Sequence, residues 1–114
     1  MNNESVLSFE ILPGEAARLL AEGRAVLIDV REPHEYQLAR IDGARLIPMH
    51  TVLQRLQELE AAADEKILIV YCHHGVRSLT VVEWLRRQGV EQCASLIGGI
   101  DLWSRQVDPQ VPRY

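Results

Sequence analysis

Ile67-Leu68-Ile69-Val70-Tyr71-Cys72-His73-His74-Gly75-Val76-Arg77-Ser78 joins an apolar run to a short loop containing a cysteine and a glycine. Its first five residues are an uninterrupted apolar run, the pattern of a strand covered on both faces. Ser78 to Gln88 then carry helical periodicity, with Val81, Val82 and Leu85 as the buried face and Gly89 as the stop. Cys72 therefore stands where a buried strand gives way to a helix start. Loop N–H groups can converge on a sulfur in that position, and a helix N-terminus favours an anion there. Both effects favour the nucleophilic thiolate. A small buried cysteine at a strand end is the plainer reading, but it leaves Gly75, Arg77 and Ser78 unexplained.

Outward from this stretch, strands and helices alternate. A short strand is predicted within Leu7 to Ile11. Pro13-Gly14-Glu15 opens a helix that runs to Ala21 and is closed by Gly23, with Ala16, Leu19 and Leu20 on its apolar face. Val26-Leu27-Ile28-Asp29-Val30 is a second continuous strand run. Pro33 to Leu38 suits a short helix with proline in its first turn, and Leu46-Ile47 a third strand. Val52, Leu53, Leu56 and Leu59 have the spacing of an amphipathic helix. Ala94 to Ile97 forms a last strand, and Gly98-Gly99 turns into a helix carrying Leu102 and Trp103. The tail from Val107 to Tyr114, with two prolines, is expected to wrap the surface.

This alternation predicts an α/β domain with a mostly parallel sheet and helices on both faces. In such sheets ligands bind beyond the carboxyl ends of the strands, where both Asp29 and Cys72 fall. A chain of 114 residues is one domain with a real core. A formal charge of −4 with scattered arginines argues against a nucleic-acid partner. No apolar run approaches the roughly 20 residues of a membrane span. The start, Met1 to Ser5, lacks the basic and apolar regions of a signal peptide. With only two cysteines, a reducing, cytoplasmic location with free thiols is expected.

Four segments in order resemble the rhodanese family of sulfurtransferases. They are Leu27-Ile28-Asp29-Val30-Arg31-Glu32, Ile41-Asp42-Gly43-Ala44, Cys72 to Ser78, and Gly98-Gly99-Ile100-Asp101-Leu102-Trp103. The resemblance spans residues 8–108, leaving 1–7 as an N-terminal extension and 109–114 as a C-terminal tail. It implies a single rhodanese-like domain with a five-stranded sheet. It further implies sulfane-sulfur transfer through a persulfide on Cys72, from thiosulfate or a persulfide donor, free or protein-borne, to a thiol or cyanide acceptor. Asp29 and Arg31 would support the site, and no cofactor is implied. Family members that favour thiosulfate often carry Lys or Arg just after the cysteine. Here His73 and His74 stand there, and neutral imidazoles attract a dianion less well.

Within the loop, Gly75 permits a tight curl that a side chain would obstruct. Ser78 either hydrogen-bonds back into the loop or simply caps the helix. A cation at Arg77 opposes the helix dipole by ~0.3–1 kcal/mol, so a carboxylate from Asp29, Glu32 or Glu35, or an anionic substrate, should face it. His73 and His74 are read as solvent-facing residues that tune local charge, not as metal ligands, because adjacent histidines rarely chelate one zinc. Cys93 is read as a buried strand residue, and Trp84 and Trp103 as packing groups. Two rival functions remain. A cysteine-dependent phosphatase would separate Cys and Arg by five residues, where this chain has four. A non-catalytic binding module of the same fold usually lacks the cysteine.

Overall fold

The computed structural model describes residues 7–114. The elements are β1 (Glu10–Ile11), α1 (Pro13–Ala21), β2 (Ala25–Asp29), α2 (Pro33–Leu38), β3 (Arg45–Leu46), α3 (Leu56–Ala63), β4 (Ile67–Tyr71), α4 (Val76–Arg87), β5 (Cys93–Leu96) and α5 (Gly99–Gln106). The five strands form one sheet in the order β1-β5-β4-β2-β3. Every pairing is parallel. The domain is α/β, as the alternation of strand and helix runs predicts.

The apolar runs of β2 and β4 supply both cores. Ala25, Leu27, Ile69 and Tyr71 point to one face, where they join residues of α1 and α5. Ile28, Leu68, Val70 and Cys72 point to the other, against α3 and α4. The period of two along each strand, with both faces filled, is why these runs are apolar without interruption. Ala25 to Asp29 pair with Ile67 to Tyr71 in register, so the ends of β2 and β4 emerge side by side. That juxtaposition brings the segments after Asp29 and Tyr71 to one edge.

Several boundaries differ from the sequence expectation. β1 begins only at Glu10, and the expected extension 1–7 lies, apart from Leu7, outside the described residues. The helix expected over Val52 to Leu59 is two 3₁₀ turns, Met49–Thr51 and Leu53–Arg55, followed by α3. Arg55, at φ −105° and ψ 19°, interrupts the helix there, and nothing in the sequence marks that position. Leu53, counted in the apolar face, is 54% exposed. α4 begins at Val76, two residues before the expected start, so Ser78 lies in its first turn and is not the capping residue. The tail runs over the surface as expected, with Asp108, Pro109, Gln110, Pro112, Arg113 and Tyr114 exposed, but it is pinned at one point. Val111 is buried in the core and its carbonyl accepts a hydrogen bond from Ser104 Oγ.

Candidate active site

Cys72 lies directly after β4 and its side chain is almost fully buried. Its Sγ accepts hydrogen bonds from the backbone N–H of Gly75 at 3.1 Å and of Ser78 at 3.3 Å. These two donors belong to the curl and to the first turn of α4, the arrangement that binds anions at helix starts. The thiol also donates to Ser78 Oγ at 3.4 Å, and Ser78 Oγ lies 2.7 Å from Ser95 Oγ. A buried chain Cys72–Ser78–Ser95 thus connects the loop to β5. Ser95 was not foreseen; a lone serine inside a short apolar strand gives no signal until the fold places it behind Ser78.

Two glycines make the curl possible. Gly75 sits at φ +105°, and a Cβ there would also press on Gly98 N at 3.3 Å. Gly99 packs so closely under the loop that a Cβ would collide with the carbonyl oxygens of Cys72 and His73. Those same carbonyls accept hydrogen bonds from the first amides of α5, Ile100 N to Cys72 at 2.9 Å and Asp101 N to His73 at 3.2 Å. The loop is held from below by the start of α5 and folded above by the start of α4. The Gly98-Gly99 segment is therefore part of the site's scaffold.

Arg77 finds its carboxylate in Glu35. The guanidinium makes a bidentate pair, Nη1 to Oε1 at 2.8 Å and Nη2 to Oε2 at 3.0 Å. Glu35 also accepts from the backbone N–H of Glu32 and from Tyr114 Oη at 2.9 Å. The Arg77 hydrogen bonds outweigh burial and hold the Glu35 carboxyl down at about 2. The Arg77 guanidinium is correspondingly raised, first by Glu35. Of the three candidate carboxylates, Asp29 and Glu32 do not reach it.

Asp29 and Arg31 are both completely buried and face each other. Arg31 Nε and Nη2 donate to the two Asp29 oxygens at 2.9 and 2.7 Å, and Tyr71 Oη donates to Asp29 at 3.0 Å. Burial works against the charged Arg31, but Asp29 and then Tyr114 more than offset it. The remaining Arg31 donors go to the Ala39 carbonyl at 2.6 Å, the Glu35 carbonyl at 3.4 Å and Tyr114 Oη at 2.7 Å. This pair makes no hydrogen bond to Cys72. It is a hub that ties the ends of β2 and β4 to the tail.

His73 is not the solvent-facing residue expected. Its ring stacks on Tyr114 at 3.9 Å and on His74 at 3.9 Å. Burial first, and His74 second, push its pKa down. His74 is exposed, as expected. One ligand-type atom each from His73, His74 and Asp101 lies within 4.8 Å of the others. The two imidazole rings stack on each other, and Asp101 is held by Arg113 at 3.0 Å. Tyr114 is the residue the sequence did not offer. It lies 83 positions from Arg31 and 79 from Glu35, too far for any spacing rule. Cys93 begins β5 opposite Leu68, the second residue of β4, far down the sheet from Cys72. Burial pushes its thiol pKa up, which makes it a poor nucleophile.

A model of the rhodanese-like domain matches residues 12–106. The chain belongs to the rhodanese-like domain family. Among curated members, the thiosulfate sulfurtransferase GlpE of Pseudomonas paraeruginosa is 38% identical over 103 residues, covering 90% of this chain and 89% of its own length. The maize adenylyltransferase and sulfurtransferase MOCS3-1 is 32% identical over the whole chain, which spans only 27% of that relative. Among solved rhodanese-like structures, human single-domain sulfurtransferase TSTD1 superimposes with a TM-score of 0.77 at 28% identity, covering 88% of this chain and 98% of its own. A rhodanese-related protein of Thermoplasma volcanium gives 0.79 at 27% identity, covering 94% of this chain and 100% of its own. The five-stranded parallel sheet and the order of segments are those of a rhodanese-like domain. No described helix is long and apolar enough to cross a membrane.

Proposed function

We propose that Cys72 is the sulfur-carrying nucleophile of this sulfurtransferase domain. The observation that carries the reading is the convergence of the Gly75 and Ser78 N–H groups on Cys72 Sγ. The Cys72 thiolate attacks the outer sulfur of a donor. With thiosulfate the S–S bond breaks and sulfite leaves; with a persulfide a thiolate leaves. In either case Cys72 gains one sulfur and the negative charge moves outward. Preorganised N–H donors stabilise such charge without a metal or a general base. The outer sulfur then passes to a thiol or cyanide, and Cys72 is returned as thiolate.

Arg77, His73 and Ser78 shape the loop, while Asp29 and Arg31 support it through Tyr114 and Glu35. Both cysteines are free, and a reduced Cys72 suits the cytoplasm, where we place the reaction. The phosphatase alternative fits less well. The loop amides already close on a single sulfur, and four residues between Cys72 and Arg77 leave a small cradle. Parallel assays test the choice. Sulfur transfer to cyanide should be measurable and lost in Cys72→Ser, with aryl phosphate hydrolysis negligible. Robust phosphate hydrolysis that vanishes in Cys72→Ser, without sulfur transfer, would overturn the proposal.

A further inference from the structure

Arg77 supplies the one arginine of the Cys72 loop. In a loop that accepts a doubly charged donor, such a cation would be expected to face the donor. Here it faces Glu35, and the pairing is bidentate at 2.8 and 3.0 Å. The carboxylate itself is immobilised. The Glu32 N–H holds one oxygen at 3.1 Å and Tyr114 Oη holds the other at 2.9 Å. Tyr114 is fixed in turn by Arg31 at 2.7 Å, and Arg31 by Asp29 in the fully buried pair. Turning Glu35 away from Arg77 would break this chain of bonds. Nearby Arg113 is likewise paired, with Asp101. Burial lowers the pKa of His73. Beside these, His74 and apolar Val76 are the exposed residues of the loop, Val76 at 76%.

We infer that Glu35 is a specificity-determining residue that cancels the charge of Arg77, so that the site favours persulfide donors of low charge over the thiosulfate dianion. This inference rests on the sulfurtransferase reading and adds the donor class to it. For a protonated hydropersulfide, the Cys72 thiolate attacks the terminal sulfur of R–S–SH. The S–S bond breaks, Cys72–S–SH forms and RS⁻ leaves. No dianion enters the site, and no unpaired cation is needed. For thiosulfate, two negative charges must approach a mouth whose arginine is already neutralised. Glu35 acts through Arg77 and does not itself meet the reacting sulfur, so it is a positioning residue.

The test compares the parent with Glu35→Gln, a near-isosteric change that leaves Arg77 charged. Steady-state kinetics are measured at about pH 8, where imidazoles are neutral, with thiosulfate and with an alkyl hydropersulfide. Removing one negative charge beside a dianion's approach should raise the ratio of kcat/KM for thiosulfate to that for the hydropersulfide by roughly fivefold or more. The change should come through the KM for thiosulfate. A role confined to structure would slow both donors alike and leave the ratio unchanged, which would overturn the inference. The parent alone gives a second test that needs no variant. Its kcat/KM for thiosulfate should hold steady or rise as salt screens the net charge of −4. A steep fall with salt would reveal an uncompensated cation attracting the donor and would also overturn it. If neither donor adds a sulfur to the parent in an intact-mass measurement, the sulfurtransferase reading itself fails. Loading by both donors with an unchanged ratio refutes only the role of Glu35.

Discussion

Lowering the pH should unlock the tail and the catalytic loop through one carboxyl group. Glu35 is held from the ordinary 4.5 down to about 2, chiefly by Arg77, against the opposing effect of burial. A carboxylate depressed on folding contributes stability that is fully present above its unfolded value and is lost as pH falls through its folded value. The window is therefore from about 4.5 down to about 2. The drop corresponds to about 3 kcal/mol at neutral pH, and the Glu35 side chain is buried enough for solvent screening to remove little of it. Urea denaturation followed by tryptophan fluorescence, at pH steps from about 7 to about 2.5, measures it. Exposed Glu22 and Glu58 and partly buried Asp101 are also paired with arginines and also depressed. They are common to parent and variant, so the difference between the parent and Glu35→Gln isolates Glu35. The parent should be the more stable at neutral pH by about 3 kcal/mol, and the two curves should converge on acidification. Curves that stay parallel across the window would refute the reasoning, because the Glu35 carboxyl would then titrate alike folded and unfolded.

Three further outcomes follow from the same geometry. Asp29→Ala leaves Arg31 buried without its carboxylate and should cost about 3–5 kcal/mol, read by denaturation at neutral pH. Gly99→Ala should displace the carbonyls of Cys72 and His73, slowing sulfur loading by at least roughly tenfold, on the scale of 1.4 kcal/mol per decade, and lowering Tm. Ser95→Ala should leave the fold intact and slow transfer by about 2–10-fold, the loss of one hydrogen bond behind Ser78; unchanged turnover would remove Ser95 from the account.

Much of this architecture is legible in the chain because two features are local. Ile67 to Tyr71 and Val26 to Val30 are apolar without a break, which only a strand covered on both faces tolerates. The run from Cys72 to Ser78 then places the proposed nucleophile, the left-handed Gly75 and the arginine by spacing alone. What the chain does not disclose is which distant residues close the site. Any of three carboxylates within seven positions of one another satisfied the demand of Arg77, and only the turn of α2 selects Glu35. Ser95 and Tyr114 reach the loop through sheet order and through a tail that folds back once Val111 is buried. The start of α4 at Val76 is hidden because Gly75 in a left-handed conformation starts the helix without a capping side chain. The break at Arg55 has no sequence mark. Nothing local in the sequence shows that His73 stacks on Tyr114 and is partly covered by it.

Intact mass with peptide mapping shows whether Cys72 carries the sulfur. After incubation with thiosulfate or an alkyl hydropersulfide, the parent and Cys93→Ser should each gain one sulfur atom on the peptide containing Cys72, and cyanide should remove it. Cys72→Ser should remain unloaded while keeping its fold. Stable loading of Cys72→Ser, or a sulfur that maps to Cys93 in the parent, would contradict the account.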